Sequence, residues 1–438
     1  MAIQTFRGFS LLLVISVCTV LIFLTFGHLS SIGWNAFSGL TRQVDEEMVG
    51  SGEVEETLTK IADSTKTNGA EVKSDQTSRT TPGAVPETPM PVLSRKSFKK
   101  APRWDFDDIY NQDAPPRQTT CAESLRNSED EGFKKAFLPN VRMFMHRTNM
   151  SEWNRLSHFN NPFGFMEFKH DEVMLAVNLI PKPNEPLLPP KTGSDKCLRC
   201  AVVATGGILN GSKMGKEIDA HDYVFRMNGA AIKGYEEDVG NRTSVYVHTA
   251  HSITTSLYLW RKFGYTSAPK DEGIKYVMIP EGMRDFLWME GLFKGERVTA
   301  GPYKNNRPRN YYSGQYNETR FYVLHQDFLR YVRNRFLNSP HLNSSHWSIV
   351  RPTNGAFTIF LALQTCDTVS AYGFMTEDFR KYSNYYVERL RKTNVIFYAN
   401  HDYIMEKNLW KRLHDSKIIK LYQKTVPETG SPSVTPKH

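Results

Sequence analysis

The sequence predicts an α/β fold in which a mostly parallel β-sheet is flanked by helices. Between Trp104 and about Tyr422, short apolar runs typical of buried strands alternate with longer helical patterns such as Phe328–Phe336 and Gly355–Gln364. Strands that are separated by helices form βαβ units, and these units pair their strands in parallel. The predicted strands are Cys200–Ala204, Val224–Met227, Val245–His248, Tyr276–Ile279, Phe321–Leu324, Thr368–Tyr372 and Val395–Tyr398.

The composition supports a large folded domain with appended segments. The chain has 438 residues, of which 40% are hydrophobic and 23% are charged, so it can bury a core and is neither wholly disordered nor fibrous. The formal net charge of +9 suits an anionic ligand, an anionic membrane or a nucleic acid, and it does not choose among them. Five cysteines exclude a small disulfide-dense scaffold.

An apolar run at the N-terminus predicts a membrane anchor. Phe9–Phe26 carries no charged residue, and about 18–20 such residues can span a bilayer. We therefore expect a cytosolic tail over 1–8 and a transmembrane helix over 9–27, with Arg7 favouring a cytosolic N-terminus. A cleaved signal peptide is the alternative, but it would have a shorter apolar region that ends at a small-residue cleavage site.

The segment that follows the anchor predicts a flexible stem. No aromatic residue occurs between Phe37 and Phe98, and Ser, Thr, Glu, Lys, Gly and Pro dominate the segment. Such a composition buries too little apolar surface to offset the entropy of ordering. We expect a disordered stem over 28–103 and a folded head over 104–438.

Five Asn-x-Ser/Thr sequons occur in the head, which requires a lumenal or extracellular location if they are glycosylated. A head in that location would not meet nucleic acid. Asn210 lies in a turn with a better functional interpretation, given below. The remaining glycosylation candidates are Asn149, Asn241, Asn317 and Asn343.

The cysteine pattern predicts structural disulfides. Cys18 lies inside the apolar run, which leaves Cys121, Cys197, Cys200 and Cys366 in the head. Two disulfides are expected in an oxidising compartment, with three pairings open from the sequence. Cys197 and Cys200 form a C-x-x-C that suits a redox site or half a zinc site, but no second C-x-x-C or spaced His pair accompanies it to complete a zinc site.

A glycine-rich turn follows the first predicted strand. Thr205-Gly206-Gly207 and Asn210-Gly211-Ser212 precede a helix expected to start near Lys213. Glycines allow close backbone approach to a ligand, and a helix N-terminus attracts phosphate, so this turn is a candidate nucleotide site. Neither the P-loop pattern nor G-x-G-x-x-G is present, and a tight strand-to-helix turn is the alternative.

Two further polar turns precede predicted helices. Thr353 or Asn354 can cap the helix that follows, or the loop can turn hydroxyl and amide donors toward an anion. Asp402 is a plausible N-cap of a helix over Tyr403–Leu413, which places His401 beside a positive helix end that favours neutral imidazole, the form that a general base needs. A structural role is the alternative for this histidine.

One pair of aspartates matches the pattern of a metal-binding motif. Asp105-Phe106-Asp107 matches D-x-D, but it lies at the border of the stem, far from the glycine-rich strand end. We expect these carboxylates to be solvated or to cap a helix.

Together these segments resemble the animal sialyltransferase family, and their sequences are most similar to those of its GalNAc-directed α2,6 subgroup. Cys200–Val247 resembles the large donor-binding motif, and Arg351–Phe374 resembles the small motif. Lys381–Glu388 lies where the third motif belongs, and His401-x4-Glu406 resembles the last motif. The resemblance covers the chain from about Trp104 and implies a Rossmann-like variant of the GT-A glycosyltransferase fold.

The resemblance also implies roles for individual residues. Asn210 and Asn228 would contact the cytidine monophosphate part of CMP-sialic acid. The loop of Thr353, Asn354 and Gly355 would meet the same donor, and His401 would be the catalytic base. The family's pairing implies the disulfides Cys200–Cys366 and Cys121–Cys197.

One position departs from the family pattern. The third motif usually has a His before its aromatic pair, and Tyr385 holds that place here. If that His assists the departing phosphate, the Tyr385 hydroxyl must substitute for it, unless the alignment is off by one residue.

The implied reaction is an inverting, metal-independent transfer of sialic acid to the 6-hydroxyl of GalNAc on Ser or Thr of a glycoprotein. No cofactor is expected beyond the co-substrate, and the anchor then implies a type II Golgi membrane protein with a lumenal head. The alternatives are another acceptor or linkage, such as galactose or α2,3, and an anchored glycan-binding protein that has lost catalysis. The sequence indicates no oligomeric state.

Overall fold

The computed structural model describes residues 87–113, 119–146, 148–183, 185–189 and 197–424. The predicted tail, membrane span and most of the predicted stem lie outside the described residues. Within the described ranges, no helix combines the length and the apolar character needed to cross a bilayer.

A seven-stranded parallel sheet forms the centre of the fold, in the order β5-β4-β3-β2-β1-β6-β7. Every neighbouring pair of strands is parallel. The strands are β1 (Arg199–Val203), β2 (Tyr223–Met227), β3 (Val245–His248), β4 (Lys275–Met278), β5 (Phe321–Val323), β6 (Thr368–Tyr372) and β7 (Lys420–Leu421). The first six strands are almost wholly buried, which is why they appear in the sequence as continuous apolar runs.

Ten α-helices occur in the described ranges. They are α1 (Glu131–Ala136), α2 (Met150–Leu156), α3 (His170–Val177), α4 (Gly215–Asp219), α5 (Glu236–Val239), α6 (Ala250–Trp260), α7 (Met283–Lys294), α8 (Gln326–Phe336), α9 (Asn354–Thr365) and α10 (Tyr403–Asp415). Thr353 caps α9 through Ala356 N, and Asp402 caps α10 through Met405 N, as the sequence predicts. The apolar α9 packs against β1, β2, β3 and β6 across the middle of the sheet.

The strand order reverses beside β1. Successive strands from β1 to β5 extend the sheet in one direction, and β6 then pairs with the free side of β1. In open parallel sheets, ligands bind beyond the carboxyl ends of the strands at such a reversal. This rule predicts a ligand site at the carboxyl ends of β1 and β6.

Six predicted strands are confirmed to within one residue at each end, and the seventh is wrong. Residues 395–398 form no strand, and the side chains of Ile396, Phe397 and Tyr398 are about half exposed. The apolar composition of this run therefore does not reflect burial in the core, because its side chains lie at the surface. The two-residue β7 was not predicted because one pair of residues carries no periodicity.

Ordered structure begins before Trp104. Leu93 and Phe98 pack against a small cluster of Ala101, Met166 and Trp347, and the Trp347 Nε1–H donates to the Phe98 carbonyl at 3.1 Å. The described part of the predicted stem, residues 87–103, thus covers apolar surface on the head.

Asp105 is not solvated, contrary to expectation, whereas Asp107 is exposed. The Asp105 side chain is fully buried and forms an ion pair with Arg333 at 2.6 Å. The burial is possible because the Arg333 guanidinium also donates to the Asp105 carbonyl. This aspartate therefore fastens the N-terminal segment to α8.

The structure contains two disulfides, Cys121–Cys197 and Cys200–Cys366, which is the pairing that the resemblance implies. The second joins β1 to the end of α9, and the first ties the N-terminal region to the residues just before β1.

Candidate active site

The predicted site residues gather along the carboxyl edge of the sheet. Asn210 lies in the turn after β1, and Asn228 directly follows β2. In a βαβ fold the helices run opposite to the strands, so α9 and α10 both begin at this edge. Thr353 and His401 stand immediately before those two helices.

The glycine-rich turn is shaped by the protein's own backbone. A Cβ on Gly206 would lie 2.4 Å from the Gly373 carbonyl oxygen, and a Cβ on Gly207 would lie 2.0 Å from that of Ser383. These two glycines therefore permit tight packing between the loops after β1 and β6 and the segment around 383. The tight-turn interpretation is correct for them.

The helix expected at Lys213 begins at Gly215 and has only five residues. Asn210 lies at the end of a short 3-10 helix, Gly207–Leu209, and its carbonyl oxygen accepts a hydrogen bond from Lys424 Nζ at 2.8 Å.

Asn228 and Asn354 are joined by their side-chain amides. The Asn354 Nδ2 donates to the Asn228 Oδ1 at 2.8 Å across 126 residues of sequence. Asn228 adopts a φ of +54°, a left-handed conformation that Asn tolerates better than most residues. The Asn228 carbonyl accepts from the Tyr246 hydroxyl at 2.7 Å, which fixes this turn. The fold thus brings two predicted donor contacts into one polar pair.

Thr353 is anchored by Glu406. Both the backbone N–H and the hydroxyl of Thr353 donate to the Glu406 carboxylate at 2.7 Å, and the Thr353 Oγ1 accepts from the Ala356 N–H. Burial raises the pKa of Glu406 to about 7, although the two bonds from Thr353 act in the opposite direction. The Thr353 side chain therefore fixes the loop. Its hydroxyl proton is already bound to Glu406 and is not available to a ligand.

Gly355 lies in the first turn of α9, where a Cβ would come within 3.1 Å of the Phe374 ring. A larger residue here would push that ring, which follows β6. The third member of the predicted loop thus keeps α9 close to the end of β6.

His401 has the hydrogen bond that a general base requires. Its Nδ1 lies 2.9 Å from the Arg351 carbonyl oxygen, which can only accept, so Nδ1 carries the proton and Nε2 keeps its lone pair. Burial lowers the pKa of His401 to about 4, and the positive charge of Arg351 adds to this effect. The imidazole is therefore neutral at physiological pH, chiefly because of burial and not because of the helix end.

Glu281 is a site residue that the sequence did not reveal. It lies just after β4, and its carboxylate accepts from the Arg351 Nε at 3.0 Å and from the Arg351 Nη2 at 2.8 Å. Arg284 donates to its other oxygen at 2.9 Å. Burial alone would raise the pKa of Glu281, but the two guanidiniums outweigh it and lower the pKa. Glu281 thereby fixes Arg351, whose carbonyl orients His401.

Tyr385 lies beside the glycine-rich turn, where its backbone forms an isolated antiparallel bridge with Gly206. Its ring packs edge-on against Trp260, with centroids 4.4 Å apart. Trp260 in turn covers Gly229, where a Cβ would lie only 2.2 Å from the indole ring. Burial raises the pKa of Tyr385 to about 12, so its hydroxyl remains protonated and can donate.

In the described part of the chain, one group of side chains has the spacing of a metal site: Glu152, His325 and Asp327. Arg142 donates to Glu152, and Arg155 and Arg330 donate to Asp327, each at 3.0 Å or less. A cation would have to displace these guanidiniums, so the donor set fits an ion-pair network better than a metal.

The strand order reverses at this edge of the sheet, where an amide pair and a neutral histidine lie, and such a reversal suits a nucleotide-linked substrate. The chain belongs to glycosyltransferase family 29, the sialyltransferases, because residues 143–418 match that family.

Relatives with named activities are similar to most of this chain. Alpha-N-acetylgalactosaminide alpha-2,6-sialyltransferase 1 of Homo sapiens is 45% identical over 350 residues, which cover 77% of this chain and 58% of that protein. Alpha-N-acetylgalactosaminide alpha-2,6-sialyltransferase 2 of Mus musculus is 38% identical, with 77% of this chain and 91% of that protein covered. The chain therefore spans less than two thirds of the human relative.

A crystal structure of a mammalian sialyltransferase has the same fold. It superposes with a TM-score of 0.51 over 70% of this chain and 99% of that chain, at 21% sequence identity.

Proposed function

We propose that this protein transfers sialic acid from CMP-sialic acid to the 6-hydroxyl of GalNAc linked to Ser or Thr. The observation that carries the proposal is His401, a neutral imidazole whose Nδ1 is bound to the Arg351 carbonyl, at the edge of the sheet where Asn228 and Asn354 meet. The names of the relatives support the acceptor and the linkage.

The reaction is a single displacement with inversion. The acceptor O6 forms a bond to the anomeric carbon of sialic acid, and the bond from that carbon to the phosphate oxygen breaks. The electron pair of the broken bond leaves with CMP, and the proton of the hydroxyl passes to the His401 Nε2. CMP is a good leaving group, so positioning and stabilisation of phosphate charge matter most.

The amide groups of Asn210, Asn228 and Asn354 are the proposed donor contacts, together with the Thr353–Gly355 loop. The Tyr385 hydroxyl keeps its proton at neutral pH and is the proposed hydrogen-bond donor to the departing phosphate. No metal and no further cofactor enter this scheme, and we expect transfer to continue in EDTA.

We place the protein in the Golgi membrane as a single-pass type II protein, with a GT-A-variant head in the lumen. Support comes from the uncharged run Phe9–Phe26 and from two disulfides, which form in oxidising compartments. Asn149, Asn241 and Asn343 are exposed, whereas Asn317 is half-buried and its side chain accepts from Thr319. The first three are therefore the more accessible glycosylation candidates.

The test uses the full-length chain, CMP-sialic acid and a GalNAc-Ser/Thr glycopeptide in EDTA. His401→Ala should lower kcat by roughly 10²–10⁴-fold, because general-base catalysis contributes about that much, while CMP binding is retained. His346→Ala changes an exposed histidine outside the proposed machinery and is the matched control.

Full activity in His401→Ala would overturn the assignment of the base. A product that is cleaved by an α2,3-specific sialidase would overturn the linkage. Glycan binding without any consumption of CMP-sialic acid would favour a binding protein that has lost catalysis.

A further inference from the structure

A basic cavity lies between α6 and the loop that follows α7. It has a volume of about 350 Å³ and is lined by Arg297, Asn305, Asn306, Arg307, Asn310 and Tyr311. This volume falls in the range of small-molecule sites. No residue of the proposed donor site or base lines the cavity.

The loop beside the cavity carries positive charge that is not neutralised locally. Residues 294–309 contain five cations and one carboxylate. Among the described residues, the one ion pair made by these cations joins Lys294 to Glu290 on α7. Arg297 donates to the Asn305 carbonyl at 2.7 Å, whereas Arg307 is exposed and no contact to its guanidinium is seen in the described ranges. The cavity therefore attracts an anion.

The rest of the lining suits a sugar. Asparagine amides offer both donors and acceptors to hydroxyl and N-acetyl groups. The Tyr311 ring and the Leu257 side chain provide apolar surface for the face of a pyranose. Guanidiniums bind carboxylates through two parallel hydrogen bonds. A carboxylated monosaccharide combines all three requirements.

An aromatic ladder connects the cavity to the rim of the active site. Tyr311 packs against Trp288 with ring centroids 4.9 Å apart, and Trp288 packs against Tyr303 at 5.9 Å. The Tyr303 hydroxyl lies 2.9 Å from the Nδ1 of His251. His251 is within electrostatic range of Glu281 and Arg351, the pair that orients His401. The cavity and the base are thus linked by contacts between packed side chains, of which Trp288 is fully buried.

We propose that this cavity is an accessory subsite that binds a carboxylated sugar already present on the acceptor glycoprotein. The inference rests on the proposed function, since it assumes a sialylated acceptor. The sugar has two possible sources, namely a sialic acid on the galactose of the same O-glycan or a sialic acid on a neighbouring O-glycan.

The test measures acceptor KM for the full-length chain at saturating CMP-sialic acid. One peptide is prepared with a GalNAc target that carries a sialylated galactose, and another with a free GalNAc target next to a sialylated O-glycan. Each is compared with its counterpart without sialic acid. We expect a KM about three- to tenfold lower for a sialylated acceptor, as for an exposed but bidentate carboxylate contact. The acceptor that shows the preference identifies the source.

Three variants distinguish binding of the sugar at this cavity from a general effect of positive charge on the protein surface. Arg307→Gln should abolish the preference, Arg307→Lys should keep part of it, and Arg103→Gln, at an exposed arginine of the N-terminal segment, should leave it intact. Transfer to neutral acceptors and the unfolding midpoint should be unchanged in all three. Equal KM values with and without sialic acid, or a preference that survives Arg307→Gln, would overturn the proposal.

A binding measurement decides the proposal independently of catalysis. Saturation-transfer NMR with the methyl α-glycoside of sialic acid, at saturating CMP, should give a signal that Arg307→Gln removes. If the protein transfers nothing to neutral GalNAc peptides, the proposed function fails, and this signal still tests the subsite. Absence of the signal in the unmodified protein would overturn the subsite itself.

Discussion

Asn228 combines two demands at a single residue. Its side-chain oxygen accepts from Asn354, and its backbone has a φ of +54°. Asparagine satisfies both demands because a short polar side chain tolerates the left-handed region and can still reach a partner. This residue therefore links the geometry of the turn after β2 to the proposed donor contact.

Two substitutions at this position separate the amide from the backbone. Asn228→Gly and Asn228→Ala should both raise the KM for CMP-sialic acid by about tenfold, since each removes one hydrogen-bonding amide from a charged ligand. Asn228→Ala should also lower the free energy of unfolding, by about 1 kcal/mol more than Asn228→Gly, because alanine is strained at positive φ. Steady-state kinetics and urea unfolding measure the two effects. A normal donor KM in both variants would exclude Asn228 from the donor site.

The sequence identified some site residues and missed others for a physical reason. Asn354 and His401 stand in polar turns just before predicted helices, whereas Asn228 was implied only by the family resemblance. Glu281 follows a strand, but its meaning depends on Arg351, which is 70 residues away and meets it only in the folded protein. Its burial and its two guanidinium partners are tertiary facts that no local pattern contains.

At the scale of elements, the turn after β1 is fixed by close packing against the segment that contains Tyr385. Tyr386 N–H donates to the Thr205 carbonyl at 3.1 Å, and Gly206 bridges Tyr385. Gly207→Ala would place a Cβ 2.0 Å from the Ser383 carbonyl oxygen, so this segment must move. We expect unfolding to become easier by about 1–3 kcal/mol, as for overpacked sites, and kcat to fall at least tenfold.

Gly132→Ala in α1 is the matched control, because its Cβ would meet only the end of the Asp130 side chain, at 3.3 Å. That variant should keep full activity. If Gly207→Ala were equally active, Tyr385 would have no positional role in the reaction.

The contact between α10 and the N-cap of α9 should respond to pH. The pKa of Glu406 is about 7 in the folded protein and lower when the chain is unfolded, so between about pH 4.5 and pH 7 the folded state holds a proton that the unfolded state has lost. This contribution to stability is complete below about pH 4.5 and disappears as the pH rises through 7.

Glu406→Gln removes that titration and can keep both contacts, because the amide oxygen accepts from the Thr353 N–H and the amide nitrogen donates to the Thr353 Oγ1. Relative to this variant, the unmodified protein should lose about 2–3 kcal/mol of stability between pH 5 and pH 8. Denaturant unfolding at several pH values measures the difference, and Glu131→Gln, on the surface of α1, is the control. A difference that does not change with pH would contradict the raised pKa.

Element prediction failed where apolar residues lie at the surface. Val395–Tyr398 has the composition of a strand, yet Ile396, Phe397 and Tyr398 are about half exposed, only a few residues before His401. A short apolar run identifies burial only if the fold supplies a neighbouring strand, and no described strand pairs with this segment. The parallel strands β1–β6 were predictable because the sheet buries them on both faces.

At the scale of the whole molecule, the N-terminal segment belongs to the fold. Composition favoured a head that starts at Trp104, because no aromatic residue occurs between Phe37 and Phe98 and Ser, Thr, Glu, Lys, Gly and Pro dominate that segment. The apolar side chains of Leu93, Phe98 and Ala101 are few, but they cover Trp347, which is almost fully buried. A sparse set of apolar residues gives a weak sequence signal even when each one packs well.

A head that starts at residue 87 should therefore be more stable than one that starts at Trp104. The shorter chain exposes Trp347 and leaves its Nε1–H without the Phe98 carbonyl, which we expect to cost about 2–4 kcal/mol. It also removes the bond from the Met90 N–H to Asn154 in α2. Urea unfolding of the two proteins measures the difference.

The full-length variant Phe98→Ala provides an independent check, since it uncovers the same indole without truncation. It should reproduce a substantial part of the loss, whereas Val92→Ala, at an exposed side chain of the same segment, should have little effect. Identical unfolding curves for the proteins that start at residue 87 and at Trp104 would show that the segment contributes nothing to the stability of the head. A loss confined to the shorter protein, with Phe98→Ala unaffected, would assign the stabilisation to backbone contacts such as that of Met90 instead of to the cover over Trp347.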